Sequence, residues 1–190
     1  MYIQRTIEKS IERANKFFPV VLVTGPRQVG KTTVLQNCET QPRTYVSLDT
    51  LENRELAKND PTLFLQRYPA PVLIDEIQYA PELFPYIKAS VDKEKKNGMY
   101  WLTGSQQFHL MKNVSESLAG RVGILQLEGL SQDEKNGHPD VPPFLPTEEY
   151  IKTKVHSAAE TDLLKIYELI WKGSYPKLYP ADSDYWAVFY

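Results

Sequence analysis

One stretch restricts what this chain can fold into more than any other. Val20-Val21-Leu22-Val23-Thr24, an apolar run of strand length, empties into Gly25-Pro26-Arg27-Gln28-Val29-Gly30-Lys31-Thr32-Thr33. The spacing is that of the phosphate-binding loop, G-x-x-x-x-G-K-[ST], which needs a strand before it and a helix after it. Gly25 and Gly30 let the backbone bend around a phosphate, and successive N–H groups then point at the anion. Lys31 reaches the β- and γ-phosphates, and the Thr32 hydroxyl ligates the magnesium that rides on them. Residues 25–33 are therefore expected to cradle a nucleotide with Mg²⁺. A glycine turn joining a strand to a helix is the bland alternative. A chain of this length matches the pattern by accident roughly 1% of the time on ordinary glycine usage, and the flanking strand and helix lower that further.

Length fits one domain of ordinary size with part of a second: 190 residues, 42% of them apolar and 24% charged. A net charge of −2 gives no general attraction to nucleic acid or to an anionic membrane. Cys38 is the single cysteine, so the chain has neither an internal disulfide nor a cysteine-based zinc site. It reads as a buried structural thiol. The first residues, MYIQRTIEKSIERANK, carry charges every few positions and no apolar h-region, and no run reaches membrane-spanning length, so a soluble cytoplasmic protein is expected.

Upstream of the loop, Ile3, Ile7, Ile11 and Ala14 recur at helical spacing, with Arg5, Glu8, Glu12 and Arg13 elsewhere around the turn; this predicts an amphipathic helix. Downstream, residues 44–48 read as a second strand and 51–58 as a short helix. Asp60 before Pro61 is a helix-start signal for 61–67.

The second informative stretch is Pro71-Val72-Leu73-Ile74-Asp75-Glu76. A buried parallel strand reads as a continuous apolar run, and α/β sheets bind ligands at the carboxyl ends of their strands. Two carboxylates ending such a run therefore stand where phosphates are expected. Asp75 is the expected partner of the magnesium, and Glu76 can polarise a water for attack on the γ-phosphate. Residues 81–94 read as a helix. The run 99–103 reads as another strand, ending at Gly104-Ser105-Gln106; in nucleotide hydrolases that insert an extra strand beside the loop strand, a polar residue at its tip senses the γ-phosphate. Ser105 is the choice and Gln106 the second, with an N-cap serine as the alternative. A fifth strand, 122–127, follows Gly120 and Arg121.

Five strands alternating with helices imply an α/β, P-loop NTPase three-layer sandwich with a mostly parallel five-stranded sheet, followed by a short helical C-terminal extension. Prolines at 139, 142, 143 and 146 make residues 129–146 a linker or irregular excursion. Helices are predicted over 147–155 and 160–171, the second with Leu163, Leu164, Tyr167 and Ile170 inward. The aromatic tail reads as the first piece of something that continues.

GPRQVGKTT, YVSLD, PVLIDEIQYAPELF, WLTGSQQFHLMKNVSESLAGR and WKGSYPKLY, in that order, resemble the AAA-type ATPases of the AAA_14 group, whose P-loop domain precedes a DUF4143 region. The resemblance implies an ATP-binding domain over 1–135, a proline-rich linker over 136–146 and the truncated start of the C-terminal region over 147–190. It also hints at nucleic acid, through the region that is largely missing. Arg121 lies in the block LAGR. A planar, always-charged guanidinium suits the charge that develops in phosphoryl transfer, on its own nucleotide or on a neighbour's in a homo-oligomer. A surface salt bridge, with Glu116 close in sequence, is the other reading. Three functions stay open: an ATPase that drives a change of domain or partner contacts, a P-loop kinase acting on a small acceptor, and a nucleotide-gated binding module with little hydrolysis. An arginine-rich lid, which the kinase would want, is not visible in the sequence, nor is the N-K-x-D element that GTP would call for.

Overall fold

The computed structural model describes residues 2–105, 108–140, 145–157 and 162–179. These residues divide into two compact units, one within 7–129 and one that combines 2–6 with the described residues from 130 onward.

The first unit alternates helix and strand: α1 (Glu8–Phe17), β1 (Val20–Thr24), α2 (Lys31–Asn37), β2 (Thr44–Ser47), α3 (Leu51–Asn59), α4 (Pro61–Arg67), β3 (Val72–Asp75), a 3-10 turn (Ile77–Tyr79), α5 (Leu83–Glu94), β4 (Tyr100–Gly104), α6 (Phe108–Ser117) and β5 (Val122–Gln126). The sheet order is β2-β3-β4-β1-β5 and every pair is parallel. The α/β class, the five strands and the insertion of β4 beside the loop strand all agree with the sequence. β1 lies between β4 and β5, an interior strand covered on both faces, and all five of its residues are buried.

Alternation along the strands sorts the core into two faces. Val20, Leu22, Val72, Ile74, Tyr100 and Leu102 pack with Ala57, Phe64, Leu83, Phe84, Ile87 and Val114 of α3 to α6 and with Leu118 just past α6. The intervening positions turn to the face where α1 and α2 bury Ile11, Ala14, Val34 and Leu35. Helix α4 starts as its sequence dictates: the Asp60 carboxylate accepts the Leu63 N–H at 2.9 Å and Pro61 takes the first turn. The first helix is shorter than its periodicity suggests. It begins at Glu8, and residues 2–6 belong to the other unit.

In that second unit, Ser131 and Glu134 form a capping box on a one-turn helix, α7 (Gln132–Lys135), a signal that the reading of 129–146 as irregular passed over. Glu134 also accepts the Thr6 N–H at 2.8 Å and pairs with Arg5 at 3.2 Å, so the N-terminal residues are tied to the 130s. Burial works to raise the Glu134 carboxyl, but the Ser131 and Thr6 amides and Arg5 outweigh it and hold the group below its ordinary value. Leu130 donates to the Ser174 carbonyl at 2.7 Å. Helices α8 (Glu148–Ser157) and α9 (Leu163–Lys172) follow. The inward stripe expected of α9 is corrected here: Leu163, Leu164, Tyr167 and Ile170 are each more than 60% exposed. Amphipathic spacing defines a stripe and does not say whether anything covers it.

Candidate functional site

The site grows from the carboxyl ends of the parallel strands, where all the loops that follow them emerge on one rim. Gly25 leaves β1 with φ 154°, and a Cβ there would lie 2.0 Å from the Leu127 carbonyl oxygen, so this position accepts only glycine. Leu127 in turn donates its N–H to the Thr24 carbonyl at 2.8 Å. Gln28 (φ 66°) and Gly30 (φ 91°) take left-handed backbone and close the loop into the first turn of α2. Pro26, Arg27, Gln28 and Thr33 are exposed, whereas Val29 is buried and anchors the loop.

Lys31 is almost buried, and its Nζ donates to the carbonyls of Gly25 (3.2 Å) and Pro26 (2.9 Å). The ammonium is thus held at the mouth of the loop. Burial lowers its pKa, and the nearby Glu76 and Asp75 carboxylates oppose that shift.

Thr32, on the first turn of α2, donates its hydroxyl to Asp75 Oδ1 at 2.6 Å. Register explains what else meets Asp75. Val72 pairs with Tyr100 and Ile74 with Leu102, so Asp75 falls level with Thr103 and on the same face. The Thr103 hydroxyl donates to Asp75 Oδ1 and accepts the Glu76 N–H at 3.0 Å. From the neighbouring strand, Tyr45 donates to Asp75 Oδ2 at 3.2 Å. Burial raises the phenol's pKa, and Asp75 adds to the shift. Three hydroxyls therefore fix one carboxylate. Neither Thr103 nor Tyr45 was singled out from the sequence.

Glu76 leaves the strand in left-handed backbone (φ 58°, ψ 49°). Continued extension would send its side chain to the face opposite Asp75; the left-handed turn breaks that alternation. Its carboxylate accepts the Gln78 side-chain amide. Ser105 directly follows Gly104, whose register partner is Thr24, so it stands on the same rim as the start of the loop. Gln106 lies outside the described residues.

Arg121 is not part of this assembly. It precedes β5, and its carbonyl accepts the Val20 N–H at the start of β1, so it occupies the opposite rim, about 20 Å of strand away from Gly25. Its guanidinium is bidentate on Asp92, at 2.6 and 3.0 Å. Hydrogen bonding with Arg121 lowers the Asp92 pKa and raises that of the arginine. A role for Arg121 on its own chain's nucleotide is therefore corrected, and the salt-bridge partner is Asp92, not Glu116. Parallel strand polarity is the reason: a residue that opens a strand cannot share a rim with loops that close them.

The rim as built fits a phosphorylated ligand. A glycine-bounded loop, a lysine ammonium at its mouth, and a hydroxyl and a carboxylate oxygen 2.6 Å apart are a ligand set for phosphate oxygens and for a hard, oxygen-seeking cation.

Comparison with known proteins agrees with this geometry. A family model described as an AAA domain matches residues 17–136. Uncharacterized proteins of Mycobacterium bovis and Mycobacterium tuberculosis are each 37% identical over 130 residues, a match that spans 67% of this chain but only 29% of theirs. The Walker-type ATPase of Pyrococcus abyssi superposes with a TM-score of 0.54 at 18% identity, over 88% of this chain and 62% of that one, and so shares the fold.

Proposed function

The chain belongs to the AAA_14 family of AAA domains, and from that premise we propose that it binds ATP with magnesium and hydrolyses it to ADP and phosphate. The observation that carries the reading is the meeting of Thr32 with Asp75 at 2.6 Å, on the rim that also holds Lys31 and Glu76. Lys31 binds the β- and γ-phosphate oxygens. Thr32 and Asp75 hold the magnesium, which when bound neutralises charge on those phosphates. Glu76 takes a proton from the attacking water; the new P–O bond forms as the bond from the γ-phosphorus to the bridging oxygen breaks, and ADP leaves with that electron pair. Ser105 is assigned to sensing the γ-phosphate from the tip of β4.

Glu76 is tied to the Gln78 amide, and that contact favours a second reading, a nucleotide-gated module in which turnover is slow. In either case the units are proposed to divide the work, residues 7–129 carrying the chemistry and the unit beyond residue 129 receiving the change. A protein or nucleic-acid partner is proposed to be what that change acts on.

The test is calorimetry and phosphate release on the whole chain with MgATP. Binding with turnover supports the ATPase, binding with negligible turnover supports the module, and phosphate appearing on an added acceptor instead of in water would mean a kinase. Absence of MgATP binding would remove the reading altogether.

A further inference from the structure

We propose that Thr103 is a positioning residue that sets both carboxylates of the site through one hydroxyl, a role that rests on the ATPase reading above. Thr103 is fully buried in β4. Its Oγ1 donates to Asp75 Oδ1 and accepts the Glu76 N–H at 3.0 Å. The polarity is forced. A carboxylate oxygen only accepts and an amide only donates, so the hydroxyl's single proton must point at Asp75 and a lone pair at Glu76.

Each bond has a separate consequence. Asp75 Oδ1 is shared between Thr32 and Thr103, and Tyr45 holds Oδ2. Thr32 is the hydroxyl that must serve the cation, so Thr103 is the donor left to keep Oδ1 in place when it does. The bond to Glu76 acts on backbone. Left-handed conformation is unfavourable for a glutamate, and it persists only where its surroundings fix it. The Thr103 hydroxyl supplies that restraint at the residue's own N–H. It therefore fixes the left-handed turn of the residue after Asp75, which breaks the strand's alternation at that point. Valine would fill the same space and satisfy the same strand preference, so packing alone does not ask for a hydroxyl here.

Thr103→Val is the test, with Thr103→Ser as the conservative partner and Thr103→Ala if valine does not fold. Magnesium half-saturation of nucleotide binding is measured by calorimetry, alongside kcat and KM. In the valine chain the half-saturating magnesium concentration is expected to rise and kcat to fall by about 10-fold or more, since each lost bond involves a charged or buried group. KM for MgATP at saturating magnesium should move by less than about 3-fold, because Lys31 and the loop are untouched. Serine should restore both quantities. If the natural chain binds nucleotide without turnover, the magnesium titration alone decides.

Natural-chain binding with an unchanged magnesium titration in the valine chain, or a serine chain as impaired as the valine one, overturns the inference and leaves the ATPase reading standing. A natural chain that fails to bind MgATP overturns both.

Discussion

Thr32 and Asp75 come from the helix after the loop and from the end of a strand 43 residues later, yet the hydroxyl of one donates to the carboxylate of the other at 2.6 Å. That contact defines where a cation is expected. Asp75→Asn keeps the shape, removes the charge and leaves one acceptor oxygen. Magnesium-dependent nucleotide affinity should fall by about 10-fold or more while the affinity measured in chelator changes little, since a charged partner is worth roughly twice a neutral one. Equal magnesium dependence in calorimetry on both chains would count against the assignment.

Lys31→Ala removes the ammonium that sits on the Gly25 and Pro26 carbonyls. MgATP binding should weaken strongly, and circular dichroism should show the fold retained because the side chain is not part of the apolar core. Unchanged affinity would exclude Lys31 as the phosphate cation.

Glu76→Gln separates binding from chemistry. The substituted chain keeps its length and the backbone bond to Thr103, so ATP should still bind while phosphate release falls by roughly 10²-fold or more with the base gone. Turnover equal to that of the natural chain would transfer the role to another group.

Arg121, bound to Asp92 on the far rim, can reach a nucleotide only in a neighbouring copy. If it does, turnover per chain should rise with protein concentration, and mixing Arg121→Ala with Lys31→Ala chains should restore some activity. Concentration-independent turnover, no rescue and full activity of Arg121→Ala would together leave the residue a surface ion pair.

Glu134 predicts an acid limit. Its folded pKa is held below the ordinary 4.5, so its contribution is present above that value and lost as pH falls through the folded pKa. Thermal melts from pH 6 to pH 3 should show the natural chain losing its advantage over Glu134→Gln at the acid end. A difference that stays constant across the range would mean that the contacts to Thr6 and Arg5 do not stabilise the chain.

How much could be read beforehand depended on whether the information was local. The loop at 25–33 and the carboxylates at 75 and 76 are contiguous patterns, and the strand before each of them says which rim they reach. Thr103 was not legible, because a threonine inside an apolar strand reads as a β-branched filler. Its meaning comes from the register of β3 against β4, which only the folded sheet provides. Tyr45 was hidden for the same reason, its hydroxyl crossing to Asp75 from the edge strand. The rim of Arg121 was legible, because a residue that opens β5 lies at the strand's start, but its ion-pair partner Asp92, 29 residues away in sequence, was not. The stripe on α9 was legible as a pattern, but its exposure was not.

The close approach of Gly25 to Leu127 has a mechanical consequence. Leu127 also holds the Thr24 carbonyl, and three residues later the chain passes into the second unit. The backbone leaving the sheet is thus the same backbone that walls the first bend of the loop, with no side chain between them to yield. Any change of backbone at Leu127 therefore meets the first bend of the loop directly, peptide group against peptide group.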